Sequence, residues 1–325
     1  MNYLIIGVGS MGKRRIRNLL SLSVSAQDIY VLDKNLERIV FVQKEYGVRP
    51  YLQMPSDREC IIFVCTSPLQ HAIALESVRH LKIDSVFVEA GLNPEIEYAI
   101  FEFCRDNDIY LYFSVTMRFF PFVLEILEKL NCDEIGKIVH VHYSSGQNLN
   151  DWHPQEKIAD YYVTELRSSA TREIVNFEFT WLLHLFGMPN SRIEAIYNST
   201  NTIFSGIADA YSLLFTTEKD IAVSVHIDVV APTALRSLQI QGTKGQITWT
   251  SIDGLRLNFQ KQDFESKYKS LIVSLEYDIP YMNEVAAFLS KKYSSSDSIQ
   301  YLKILCDVES ALPSPLHHKI QEELR

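Results

Sequence analysis

Glycine is scarce in this chain, with only 12 among 325 residues, yet three of the 12 fall within the first dozen positions. Basic residues are also in deficit: 31 Lys and Arg stand against 40 Asp and Glu, a formal net charge of −9. A protein that holds nucleic acid by neutralising phosphates needs a basic surplus or a basic stripe, and neither is present. Five cysteines (Cys60, Cys65, Cys104, Cys132 and Cys306) are scattered without C-x-x-C spacing. This argues against a disulfide framework or zinc site and fits reduced thiols in a cytoplasmic protein. No apolar run approaches the length that spans a bilayer, and the glycine-rich start comes too early for a signal peptide. Repeats are absent, and the only biased tract is Ser294-Ser-Ser-Asp297. What remains is 47% apolar and 22% charged, ordinary for a globular protein and long enough for two cored domains.

The early glycines have a context. Asn2 to Ile6 is a short apolar run that reads as a buried strand. Gly7, Gly9 and Gly12 follow in G-x-G-x-x-G spacing, and Lys13 to Leu20 opens a helix with Ile16, Leu19 and Leu20 on one face. In a dinucleotide site the first glycine makes the tight turn and the second admits the phosphates. The third lets helix and strand pack closely. Ser10 and Met11, with the glycines, then present N–H groups and the positive helix end to a pyrophosphate. A second strand, Gln27 to Leu32, ends at Asp33, which can accept both ribose hydroxyls and repels a 2′-phosphate. The rival role for Asp33 is a turn or cap before Asn35-Leu-Glu-Arg38. NAD is the expected cofactor; Lys34 and Arg38 lie near enough to hold a phosphate, so NADP stays open.

Further along, strand and helix alternate. Helices are expected at Leu36–Tyr46, His71–His80 and Pro94–Asn107, and strands at Val48–Tyr51, Cys60–Cys65, Asp84–Glu89 and Ile109–Val115. Such alternation predicts a doubly wound parallel sheet of the Rossmann type, with ligands outside the carboxyl ends of its strands. Thr66, Ser67, His71, Glu89 and Arg118 fall at those ends or in the turns beyond them, where the nicotinamide would lie. Past Pro121 the pattern changes. Lys137 to Tyr143 alternates strictly, the mark of a half-exposed strand. Six more strand-like runs follow between Ile193 and Phe259, with one long helix near Thr171–Leu185 and two more at Tyr281–Lys292 and Ser298–Ala311. The expectation is an α/β protein: a dinucleotide domain over 1–118, and a substrate and oligomerisation domain over 119–325. The second domain is α+β with an open, mostly antiparallel sheet, and the C-terminal helices pack back on the first. An exposed sheet face invites burial, so a homodimer or homotetramer is expected.

Several stretches together resemble the glucose–fructose oxidoreductase / inositol dehydrogenase / MocA family. They are the glycine loop with Lys13-Arg-Arg-Ile-Arg-Asn18, Thr66-Ser-Pro68 with His71, Glu89, and Met117-Arg-Phe-Phe-Pro121. To these add Asp151-Trp-His-Pro154, Trp181-Leu-Leu-His-Leu-Phe-Gly187 and Gln241-Gly-Thr-Lys-Gly-Gln246. The resemblance covers nearly the whole chain. It implies NAD(P)-dependent redox chemistry on a sugar or cyclitol, a small-molecule substrate met by residues 147–173 between the domains. The Asp-Trp-His-Pro loop looks most like members associated with bacterial surface-sugar biosynthesis, by analogy.

The resemblance breaks at the proton-handling positions. The family places a lysine in a Glu-Lys-Pro motif after the fifth strand, and this chain has Glu89-Ala90-Gly91. The family's aspartate and histidine at the start of the long helix fall near Glu173 and Phe177, or one residue away, and no histidine results. Candidates for a replacement acid or base are Glu173, His153 and Tyr161, with Tyr162 and Glu178 behind them. Glu173 competes with the plainer role of a first-turn acid favoured by the helix dipole. His140 and His142 line one strand face and do not suggest a metal site; His184 reads as a core histidine. Two readings follow: an oxidoreductase with altered proton handling, or a catalytically degenerate dinucleotide-binding sensor or subunit partner.

Overall fold

A computed structural model describes residues 1–151, 170–200, 208–259, 263–265 and 278–312. The chain divides into two compact units, Met1–Phe119 with the described part of Leu275–Leu305, and the described parts of Phe120–Ser274 and Cys306–Arg325.

The first unit alternates β1 (Asn2–Ile6), α1 (Ser10–Ser21), β2 (Ile29–Leu32), α2 (Leu36–Tyr46), β3 (Arg49–Pro50), β4 (Cys60–Val64), α3 (His71–Glu76), β5 (Ile83–Val88), α4 (Pro94–Asp106) and β6 (Tyr110–Phe113). All pairings in its six-stranded sheet are parallel, in the order β3-β2-β1-β4-β5-β6. Every residue of β4 is buried, as its unbroken apolar run requires between two helical layers. Side chains of that kind each contribute roughly 1.5–3 kcal/mol on burial, so this strand and β1 anchor the unit. Helix starts follow local chemistry. Asn35 caps α2 by accepting from the Glu37 and Arg38 amides, and Asn93 caps α4 the same way ahead of Pro94. Helix α3 stops at Glu76, four residues short of the predicted end. Ser77 turns its hydroxyl onto the Ala74 carbonyl, and the next amides close tight turns onto Leu75 and Glu76.

The second unit begins with α5 (Pro121–Asn131), then β7 (Ile138–Asn148), α6 (Ala170–Phe186), β8 (Glu194–Asn198), β9 (Ala210–Thr216), β10 (Ala222–Asp228), β11 (Val230–Gly242), β12 (Gly245–Thr250), β13 (Gly254–Phe259) and β14 (Asp263–Glu265). Its sheet runs β14-β13-β12-β11-β7-β10-β9-β8. Only the β10–β7 pair is parallel, so the sheet is mixed and mostly antiparallel. Two further helices, α7 (Asp278–Leu289) and α8 (Ser295–Ala311), follow. Helix α7 and α8 as far as Leu305 belong to the first unit. The fold class expected from the sequence is the one observed. Strands β7 and β11 are longer than the alternation suggested, and β14 was not anticipated.

Candidate functional site

The glycine loop is built as its spacing demands. Gly7 has φ +88°, a left-handed conformation, and a Cβ there would stand 2.8 Å from the Cys65 carbonyl oxygen. At Gly12 a Cβ would stand 2.0 Å from the Gly7 oxygen, so helix and strand touch through bare backbone. Gly9 meets no such obstacle; the nearest atom is Arg38 Nη1 at 3.9 Å. Helix α1 starts at Ser10 with no side-chain cap and no acid in its first turn, unlike α2 and α4. Its leading N–H groups are left for another acceptor.

Asp33 sits where β2 ends and takes the Val8 amide on Oδ2 at 2.7 Å and the Asn35 amide on Oδ1 at 2.8 Å. Each carboxylate oxygen keeps lone pairs for a further donor. Asp33 therefore fills the turn role of the two plain alternatives, while the cap of α2 is Asn35.

The turns beyond β4, β5 and β6 carry the other first-unit candidates. Thr66 and Ser67 are half-buried after β4, and the Thr66 hydroxyl is buried without a hydrogen-bond partner. His71 is fully buried, its Nδ1 2.8 Å from Glu97 Oε1. Burial alone would lower the His71 pKa, but the Glu97 carboxylate outweighs it and raises it. Glu89 is 8% exposed and gripped on both oxygens by Arg15, Nε to Oε1 at 2.6 Å and Nη2 to Oε2 at 3.0 Å. Arg118 is equally buried in the turn after β6, in the field of Tyr112, Tyr293, Asp297 and Glu284, and burial lowers its pKa. Both charges stiffen the walls of the first unit.

Sequence reasoning passed over the centre of this network. Arg15, fully buried, also donates to Glu284 Oε2 at 3.0 Å, and its guanidinium lies 4.5 Å from the centroid of the Phe87 ring. Burial opposes its charge, yet Glu89 and Glu284 raise its pKa further. Glu284 collects donors from Ser114, the Val115 amide and Thr116 as well. The available signals were a charge on the apolar face of α1 and a lone acid inside the apolar helix α7.

The Glu-Ala-Gly turn is stitched in place. The Gly91 amide donates to the Tyr301 hydroxyl at 2.7 Å, and a Cβ on Gly91 would stand 2.3 Å from Glu97 Oε1. Ala90, where the resemblance expects lysine, is half-buried.

In the second unit, Glu173 and Phe177 lie one helical turn apart on α6. Both are half-buried, while the residues between them are buried. Glu178 is held by three donors from three elements. It is fully buried and accepts from Tyr143 at 2.8 Å, Trp181 Nε1 at 2.6 Å and Arg236 Nε at 2.9 Å. His153, Tyr161 and Tyr162 lie outside the described residues. His184 is exposed rather than in the core, because it falls on the outer side of α6. All five cysteines are free, and no group of three or more metal-ligating side chains occurs among the described residues. No helix among them is long and apolar enough to cross a membrane.

Residues 123–248 match the family model for the GFO/IDH/MocA C-terminal domain. Over these residues the chain is similar to that family's C-terminal domain, in line with the resemblance drawn above from separate motifs. No curated protein matches the sequence. Solved structures resemble this chain in fold along nearly its whole length. An oxidoreductase of Agrobacterium radiobacter, solved with NAD+, L-tartaric acid and magnesium, is 15% identical with TM-score 0.74, covering 96% of this chain and 95% of its own. The UDP-N-acetylglucosamine 3-dehydrogenase of Acidithiobacillus ferrooxidans is 14% identical with TM-score 0.71, covering 96% of both chains. The WlbA dehydrogenase of Bordetella pertussis, solved with NADH and UDP-GlcNAcA, is 14% identical with TM-score 0.72, again covering 96% of both.

Proposed function

We propose that the chain is an NAD(P)-dependent oxidoreductase that acts on a CH–OH group of a sugar or sugar-derived substrate. The observation that carries this reading is the uncapped start of α1 behind a glycine loop that admits a ligand at Gly9. Backbone amides of Ser10, Met11 and Gly12 would hold the pyrophosphate, and the free lone pairs of Asp33 the adenosine ribose. Thr66, Ser67 and His71 would border the nicotinamide, with Glu89 and Arg118 as buried supports. NAD, once bound, supplies the hydride acceptor; the protein orients the carbinol and moves its proton. Glu173 is our choice for that proton, with His153 and Tyr161 as the other candidates. A UDP-N-acetylglucosamine 3-dehydrogenase and a dehydrogenase solved with UDP-GlcNAcA among the similar folds support a sugar-like substrate, and a place in bacterial surface-carbohydrate biosynthesis is part of our reading. A cytoplasmic homodimer or homotetramer belongs to the same reading.

Ala90 and Phe177 favour a second reading, a dinucleotide-binding sensor or subunit partner without turnover. Purified protein with NAD and a panel of sugars and nucleotide sugars, followed by nicotinamide absorbance, separates the two. Turnover that falls sharply in Glu173→Gln supports the enzyme. NAD binding with no turnover on any substrate refutes it and leaves the second reading.

A further inference from the structure

Three polar side-chain atoms at one end of the first unit's sheet are buried with no hydrogen-bond partner among the described residues. They are Thr66 Oγ1, His71 Nε2 and Glu97 Oε2. Buried polar atoms are nearly always paired, so three orphans in one stretch of wall call for a reason. Their place in the fold supplies one. The strand order β3-β2-β1-β4-β5-β6 reverses direction between β1 and β4, and a doubly wound sheet binds its ligand in the crevice at that point. Thr66 follows β4 there, and its backbone nitrogen stands 2.9 Å from where a Cβ on Gly7 would lie. His71 opens α3 behind it, and Glu97, on α4, lies directly against Gly91 of the turn after β5.

The pair itself is arranged to hold or release one proton. His71 and Glu97 are both fully buried, and Nδ1 lies 2.8 Å from Oε1. A carboxylate there takes the Nδ1–H, which leaves Nε2 as the atom that gains or loses a proton. Burial opposes the imidazolium, but Glu97, with Glu89 and the Thr66 backbone adding to it, outweighs burial and raises the His71 pKa. The other titratable groups facing this wall do not compete. Glu89 is held on both oxygens by Arg15, which also pairs with Glu284. Cys65, 3.8 Å from Glu89, and Tyr301, whose hydroxyl accepts from the Gly91 amide, are kept neutral by burial. His71 is therefore the group in this wall that changes charge near neutral pH.

We propose that the His71–Glu97 pair is a proton-holding part of the cofactor wall, with His71 neutral when NAD+ is bound and protonated when NADH is bound. This rests on the dinucleotide reading above, with Thr66 and His71 beside the nicotinamide, and not on turnover. The ring of NAD+ carries a formal positive charge and that of NADH does not. An imidazolium in the wall repels the first and tolerates the second. With the imidazole neutral, the buried Glu97 carboxylate has no cation and favours the charged ring instead. Nε2 thus exchanges one proton with solvent as the cofactor changes oxidation state, and no bond to carbon forms or breaks at His71. The NAD+ complex binds fewer protons than the NADH complex. NAD+ therefore gains on NADH as pH rises through the titration of His71, and loses as pH falls. A pair that only fastened α3 to α4 would affect both cofactors alike.

The test is calorimetric titration of the full chain with NAD+ and with NADH between pH 6.5 and 9.0, without any substrate. Two buffers of different ionisation enthalpy at each pH count the protons released on binding. Wild type should release more protons with NAD+ than with NADH near neutral pH. Its ratio of Kd for NAD+ to Kd for NADH should fall at least about tenfold from pH 6.5 to 9.0, a difference of one pKa unit between the two complexes. His71→Gln should show equal proton counts and a ratio indifferent to pH. His71→Gln/Glu97→Gln, which leaves no buried charge unpaired, should behave the same and stands in if the single variant does not fold. Equal proton counts in wild type, or a difference that survives in a folded variant, overturns the proposal and leaves the cofactor and redox readings in place. Binding of neither cofactor overturns this proposal and the oxidoreductase reading together.

Discussion

Arg15 can be removed without touching the candidate cofactor loop, and the consequence follows from what it leaves behind. Its side chain is fully buried, and it bridges Glu89, whose side chain is 10% exposed, to Glu284, which is fully buried. In Arg15→Met the volume and much of the stacking over Phe87 persist, but two carboxylates face each other without a cation. Breaking a buried pair from one side costs about 3–5 kcal/mol, because the remaining charge has lost its partner. Glu284 is already pushed above the usual carboxylate range by burial, and Arg15 is the strongest group pulling it back down. Without Arg15 its folded pKa rises further. A group whose folded pKa lies above the unfolded value binds more protons when folded, so the variant gains stability as pH falls from 7.5 towards 6. Urea unfolding by far-UV circular dichroism at both pH values measures this. Arg15→Met/Glu284→Gln should recover part of the loss and flatten the pH response. A loss under about 1 kcal/mol for Arg15→Met, or stability that falls on acidification relative to wild type, would refute the reasoning.

Gly9→Ala should leave folding unchanged, since no atom lies within 3.9 Å, while weakening NAD binding at least about tenfold by blocking phosphate approach. Gly12→Ala should by contrast lower the melting temperature as well; equal thermal shifts in the two variants would contradict the glycine roles. Asp33→Ala should weaken NAD more than NADP in fluorescence titrations, and equal weakening would remove Asp33 from the ribose site. Glu178→Gln should destabilise the second unit by about 2–4 kcal/mol, since a neutral amide pairs poorly with Arg236 and must present an N–H where only donors converge. An unchanged denaturant midpoint in Glu178→Gln would return that residue to the list of acids and bases.

Most of the architecture was legible because it is written locally. Residues Cys60–Val64 form one apolar run, Asn35 and Asn93 stand where helices begin, and the alternation after Lys137 marks a strand with one wet face. The glycine loop was legible for the same reason, since its geometry is a matter of twelve consecutive residues. What escaped was everything that depends on distant partners. Arg15 meets Glu89 and Glu284 across 74 and 269 positions, and no periodicity announces such a pairing. Glu178 looked available for chemistry because its three donors come from Tyr143, Trp181 and Arg236 on different elements. His184 looked internal because its neighbours are apolar, but α6 turns it outward. Helix α3 was overestimated because the competing bond from Ser77 has no counterpart in hydrophobic pattern.

The turn at Glu89-Ala90-Gly91 has a consequence for anyone wishing to rebuild a lysine-bearing version of this protein. Ala90→Lys is a single change on a half-buried position, but a following proline is a different matter. Proline at 91 would delete the N–H that Tyr301 accepts and place a carbon against the carboxylate that pairs with His71. The triplet is therefore not a portable cassette. Grafting it requires Glu97 and Tyr301 to be redesigned at the same time, and the shortest workable route keeps Gly91 and introduces the lysine alone.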